Sequence, residues 1–231
     1  MILSQIISKQ QFVAGFSTRA DDISGSPPFE RFRGRVYRAR QIHSNRAFVI
    51  NDEEPEAVGQ IEADALVTGK RNLLMTVWVA DCVPILLAHE HGLCVAAVHA
   101  GWRGLAGGII RAALETMKSI YGAPSAAITA SVGPAIGPCC YEVGHDVSER
   151  IAVSCGDSSV VSVRKGRIFA DLHSAAKLQL LAAGVKASSI EVANFCTHCR
   201  DDIFYSRRRG NLTERQCGFI GMIESNSKSA C

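Results

Sequence analysis

The sequence has no apolar run approaching the ~20 residues that a membrane-spanning helix needs. Its first residues, MILSQIISKQQF, show neither the basic stretch, the long apolar core nor the small-residue cleavage site of a secretory signal. Net charge is also small: a formal +3 gives no electrostatic case for nucleic acid by itself. There is no internal repeat and no low-complexity linker, and the two loop-like stretches, 21–30 and 51–60, bring no compositional shift. Nine cysteines without an export signal point to reduced thiols rather than a disulfide framework. The expectation is a cytoplasmic protein with no membrane, nucleic-acid or obligate protein partner. At 231 residues, residues 1–231 are expected to form one domain, large enough to fold on a single core.

What is present is a series of short β-branched and apolar runs bounded by turn residues. Strands are expected at 36–40, 47–50, 65–68, 73–79, 84–88, 93–99, 126–132, 190–193 and 218–223. A hairpin joins 160–163 to 167–170 through Lys165 and Gly166. Helical spacing appears over 102–121, 147–153 and 173–183, the first and last stopping at Gly122 and Gly184. So many strands with so few helices between them predict an α+β fold, a mixed β-sheet core flanked by helices as an α/β sandwich.

Chemistry-bearing residues concentrate in WVADCVP (78–84) and VAAVHAGWRG (95–104). Cys82 and His99 each fall at the end of an expected buried strand, where neighbouring side chains converge. Gly101, Gly104, Gly107 and Gly108 surround a helix start, and Arg103 adds a positive charge, together a candidate oxyanion or phosphate cradle. Cys82 and His99 lack the close spacing of a recognised metal motif, and each has an ordinary structural reading. For a third ligand, spacing does not separate His43 from His145 or His173. Asp81 reads equally as an orienting partner for an imidazole or as a turn cap. The CTHC stretch (196–199) has no second C-x-x-C at suitable distance and reads as structural. Cys139 and Cys140 read as packed near the site, and the arginine run 207–209 as a solvated loop.

Blocks in a fixed order carry a resemblance: GFSTR (15–19), RQIH (40–43), ADALVT (63–68), VADCVPILLA (79–88), AVHAGWRG (97–104), VGPAIGPCCYEVG (132–144), DL (171–172) and FYSRRR (204–209). The chain resembles the bacterial laccase-domain family, whose members are also described as multicopper polyphenol oxidases, peptidoglycan-editing factors or purine nucleoside phosphorylases. The resemblance implies that His43, Cys82 and His99 bind one zinc ion, with copper as the alternative metal. Two imidazoles and one thiolate leave a fourth tetrahedral position open, as in catalytic zinc sites. It also implies purine nucleosides and phosphate as substrates: phosphorolysis of adenosine, inosine, guanosine or methylthioadenosine, and deamination of adenosine. Arg103 is then expected at the catalytic site, with Arg208 and Arg209 as substrate or phosphate contacts. The sequence departs from the family pattern at Ser44, at Asp21–Asp22 and at Glu214. Competing readings are a copper-dependent phenol oxidase, for which seven histidines are few, a hydrolase using Cys82 as nucleophile and His99 as base, and a peptidoglycan-editing factor.

Overall fold

The computed structural model describes residues 1–8, 11–23 and 25–224. Cys231 lies outside them. Fourteen strands are described: β1 (Ile2–Leu3), β2 (Phe12–Phe16), β3 (Val36–Tyr37), β4 (Ala47–Val49), β5 (Ala65–Thr68), β6 (Leu73–Val79), β7 (Val83–His89), β8 (Val95–Ala100), β9 (Ile128–Val132), β10 (Glu142–Val143), β11 (Val161–Arg164), β12 (Arg167–Ala170), β13 (Ile190–Val192) and β14 (Gln216–Met222). The helices are α1 (Pro27–Arg31), α2 (Pro55–Gly59), α3 (Trp102–Ala106), α4 (Ile109–Tyr121), α5 (His145–Cys155) and α6 (Leu172–Ala182). No helix among the described residues is long and apolar enough to cross a membrane.

The strands form two large mixed sheets and one small one, so the fold is α+β. One sheet runs β13-β9-β7-β8-β5-β4, the second β1-β2-β14-β6-β3, and β10-β12-β11 form the third. In the six-stranded sheet only the outer pairs, β13 with β9 and β4 with β5, are parallel.

The layering follows from alternation along the strands. In β7, Ile85 and Leu87 face one way and pack with Ile110, Leu114 and Met117 of α4 and with Leu180 of α6. Leu86 and Ala88 face the other way and meet Met75, Val77 and Ile220 of the second sheet. Both faces are therefore covered, which is why β7 is buried at every position and apolar almost throughout. The outer face of the second sheet is closed by Phe29 and Phe32 against Phe219 and Leu74. The order is helices, sheet, sheet and a thin outer cover.

The hairpin turns as expected: Arg164 pairs with Arg167, and Lys165 and Gly166 both adopt positive φ, the tight two-residue form. Two expectations need correction. The helix expected over 102–121 is two helices, because Gly108, at φ 81°, ends one and starts the next. The strand expected over 36–40 pairs only at Val36 and Tyr37, then reaches Glu62 through a bridge at Arg40. The loop-like stretches 21–30 and 51–60 contain α1 and α2, whose five residues are too few to leave a periodic signal.

A methyl group added at Gly108 would meet only the flexible Arg111 guanidinium within 4 Å, so the cost of replacing this glycine is conformational. Gly108→Ala is expected to destabilise the protein by about 1–2 kcal/mol, read as a lowered midpoint in urea unfolding with an unchanged slope.

Candidate metal centre

Three separate segments deliver the site. Cys82 stands in the turn between β6 and β7, and His99 lies in β8 opposite Pro84. His43 sits in the loop before β4 at φ 61°, a backbone conformation a non-glycine residue adopts at a cost. Cys82 Sγ is 3.8 Å from His43 Nε2, and the His43 and His99 rings meet edge to face at 4.8 Å. The three ligand atoms all lie within 4.8 Å of one another. His43 is exposed, Cys82 half-buried and His99 buried, so one side of the group opens outward.

The residue that assembles this group is Asp64, buried at 1% exposure. Its Oδ1 pairs with His99 Nδ1 at 2.8 Å and accepts from the His43 backbone N–H at 3.0 Å. Its Oδ2 accepts from the Ser44 N–H at 2.6 Å, the Ser44 hydroxyl at 2.7 Å and the Ile42 N–H at 3.3 Å. Burial works against the carboxylate charge, yet the bonds from His99 and Ser44 outweigh it and hold the acid at about 2. Ser44, where the resemblance expects glycine, thus adds a hydroxyl donor to the carboxylate. With its Nδ1 engaged, His99 presents Nε2 to the centre.

Burial opposes ionisation of Cys82, but the His99 charge and the imidazole hydrogen bonds bring the thiol down to about 6. Burial likewise opposes the charge on His99, and the Cys82 thiolate and Asp64 raise it to about 9. By contrast, desolvation pushes the Cys94 thiol up to about 12 and that of Cys217 to about 11. Cys82 is the activated thiol among these three.

The donor set fits a tetrahedral zinc. Bond lengths of ~2.0 Å to nitrogen and ~2.3 Å to sulfur imply ligand-to-ligand edges of about 3.3–3.6 Å, near the 3.8 Å between Cys82 Sγ and His43 Nε2 and inside the 4.8 Å that encloses all three ligand atoms. Gly101 makes that fit achievable. A methyl group at its α-carbon would stand 3.0 Å from both Cys82 Sγ and His43 Cδ2. Gly104 likewise packs on the carbonyls of Ser44 and His99. These two glycines let α3 close over the candidate ligands.

Asp81 does not orient an imidazole. At φ 88° its carboxylate accepts from Thr197 Oγ1 and from the Arg208 backbone N–H, both at 2.7 Å. It ties the turn bearing Cys82 to the 193–209 segment.

The group borders a cleft of about 1030 Å³. Arg38, Arg40, Arg103, Arg207 and Arg215 line it against one acid, Glu214, and Trp78 and Tyr205 supply aromatic surface. Arg40 is paired with Glu62 at 3.4 Å. Arg103 lies over the Trp102 ring at 4.5 Å and has no ion pair among the described residues. Arg208 and Arg209 do not line the cleft. Arg208 donates to the Glu142 carbonyl at 3.1 Å over the Tyr141 ring, and Arg209 donates to the carbonyls of Thr197, His198 and Phe204. Their guanidiniums hold the backbone around the site. His145 is exposed on α5, and His173 is buried against the Gly133 carbonyl. His89 and His91 meet edge to face at the opposite end of β7, roughly 20 Å along the strand.

Known proteins share this fold. Residues 28–223 match the family described as multi-copper polyphenol oxidoreductase laccase. The chain belongs to this family. It is 34% identical over 178 residues to a purine nucleoside phosphorylase of Bacteroides thetaiotaomicron, covering 73% of this chain and 66% of that protein. It is 38% identical over 165 residues to the purine nucleoside phosphorylase YlmD of Geobacillus stearothermophilus, covering 70% and 60%. The aligned stretch thus spans less than two thirds of either relative. A third relative, 38% identical over 181 residues (74% of this chain, 68% of the relative), is named adenosine deaminase RL5, from an unknown prokaryotic organism. The crystal structure of YlmD from Geobacillus stearothermophilus superposes with a TM-score of 0.83 at 28% identity, over 96% of this chain and 94% of that one.

Asp64→Asn keeps the shape but removes the charge that sets the His99 tautomer and stabilises its ring. It is expected to weaken zinc binding roughly 10–100-fold, measured by competition with a chromophoric chelator. Gly101→Ala, by displacing two ligands at once, should weaken binding at least as much while circular dichroism stays unchanged.

Proposed function

We propose that this protein is a zinc-dependent purine nucleoside phosphorylase, with His43, Cys82 and His99 holding the metal. The observation that carries the reading is the placement of an open, three-donor group beside a cleft that is both arginine-rich and partly aromatic. Relatives bearing that activity in their names support it.

Phosphorolysis requires phosphate beside C1′ of the ribose while the purine leaves with its bonding electrons. Arg103 is the residue assigned to phosphate, because its guanidinium borders the cleft without an internal counter-ion. Arg207 and Arg38 add to the positive field that draws the anion in. The faces of Trp78 and Tyr205 suit a flat purine. Zinc in this group supplies a Lewis acid at the reacting centre. Asp64 keeps His99 oriented and neutralises the positive charge gathered there. Glu214 is the one acid among the arginines that line the cleft.

Adenosine deamination is the second activity assigned to the same centre, on the strength of the relative so named and of the comparable His/Cys zinc sites of nucleoside deaminases. Copper(II) outcompetes zinc at mixed nitrogen and sulfur sites, so the metal loaded must be controlled before any oxidase activity is interpreted.

The test is chromatography of adenosine and inosine incubated with zinc-loaded protein, with and without phosphate. Phosphate-dependent release of adenine or hypoxanthine, abolished in Cys82→Ala, is the expected result, and untouched nucleosides sink the reading. Arg103→Ala should raise the KM for phosphate roughly 10–100-fold, the loss of one charge-assisted contact. Zinc is also expected to protect Cys82 from iodoacetamide; a Cys82 that alkylates equally with zinc bound would favour a cysteine nucleophile instead.

A further inference from the structure

The fold gathers a second group of metal-competent side chains that no part of the nucleoside chemistry uses. Cys139 and Cys140 lie in the segment after β9, and Cys196 and Cys199 lie some sixty residues later, after β13. Their four sulfurs all fall within 4.8 Å of one another. Cys140 Sγ is 3.3 Å and Cys139 Sγ 3.6 Å from Cys199 Sγ. These separations are far beyond the ~2.05 Å of a disulfide. With the 4.8 Å limit they bracket the edge of about 3.8 Å that four sulfurs adopt around one zinc ion at ~2.3 Å.

The backbone around the group is built for thiolates. The Gly137 N–H donates to Cys196 Sγ at 3.2 Å. Cys196 is followed by a turn in which the Arg200 N–H bonds its carbonyl, and the Tyr141 N–H closes an equivalent turn onto the Gly137 carbonyl, which also accepts from the Cys140 N–H. The two segments are joined by the bridge between Ala135 and Cys196. Gly137 has no room for a side chain: a methyl there would stand 3.1 Å from Cys196 Cβ and 3.3 Å from Cys139 Sγ. Four crowded thiols without a cation would lose most of their hydrogen-bonding value, whereas one divalent ion satisfies all four sulfurs at once.

We propose that Cys139, Cys140, Cys196 and Cys199 bind a second zinc ion, as a closed, structural tetrathiolate site. It staples the 133–144 segment to the 193–209 segment. The second of these carries Thr197 and Arg208, whose hydroxyl and backbone N–H hold Asp81 beside Cys82. The staple is therefore a mechanical support for the turn bearing one ligand of the first centre. It does not depend on the nucleoside reading, and inactive protein would leave it untouched.

Sequence spacing conceals this site because half of it is an adjacent Cys–Cys pair rather than a second C-x-x-C. The test is elemental analysis of the full-length protein purified under reducing conditions with zinc supplied. The wild type is expected to carry about two zinc ions per chain, and Cys82→Ala and the double variant Cys196→Ser/Cys199→Ser about one each. Should the double variant fail to fold, Cys82→Ala alone decides. Its remaining zinc should block iodoacetamide at the four cysteines, and a strong chelator should expose them, as mapped by peptide mass. Loading Cys82→Ala with cobalt(II) should give the intense sulfur-to-metal charge-transfer absorption of a tetrathiolate. Metal-free Cys82→Ala, alkylation of the four cysteines that is indifferent to chelator, or disulfides among them would each overturn the proposal.

Discussion

A buried carboxylate keeps its charge only when enough donors replace the water it has lost, and the Asp64 carboxylate is the case on which this site depends. Three backbone N–H groups, one hydroxyl and one imidazole converge on its two oxygens. That convergence forces the 42–44 turn to wrap the carboxylate, which drives His43 into its left-handed conformation and aims its ring at Cys82. The same oxygen that receives the His43 N–H also pairs with His99. One acid therefore positions two of the three candidate ligands, and the third arrives from the turn between β6 and β7.

That third ligand has its own support. Asp81, also at positive φ, is held from behind by Thr197 and the backbone of Arg208. Arg209 in turn gathers the carbonyls of Thr197, His198 and Phe204. Backbone strain at His43 and Asp81 is thus concentrated around the centre and maintained by polar contacts from distant segments, the pattern expected where geometry is held for chemistry. The paired arginines serve the site by shaping its walls, while Arg103, Arg38 and Arg207 border the cleft.

Much of the fold is legible in the sequence. Strands β5 to β8 have the apolar runs of elements buried on both faces, α4 has clear helical periodicity, and glycine lies just beyond the ends of both α4 and α6. What escaped were short elements such as β1, β10, α1 and α2, whose formation is decided by pairing and packing rather than by a local pattern. The break at Gly107–Gly108 was visible as two glycines, but only the φ of Gly108 separates a tolerated helical glycine from a helix end.

The sequence by itself determined where most of the strands fall along the chain, the candidacy of Cys82 and His99 at strand ends, and, through its ordered blocks, the family. Local pattern could do this because alternation and turn chemistry act over a few residues. Spacing left His43, His145 and His173 equal; the family resemblance pointed to His43, and the tertiary structure places it against Cys82 and His99. The tertiary structure alone assigned Asp64 rather than Asp81 to the imidazole, and brought Cys139–Cys140 to Cys196 and Cys199. Each of these depends on contacts between segments tens of residues apart. Which segments meet is set by sheet register and layer packing, and neither is written in the spacing of the residues that meet.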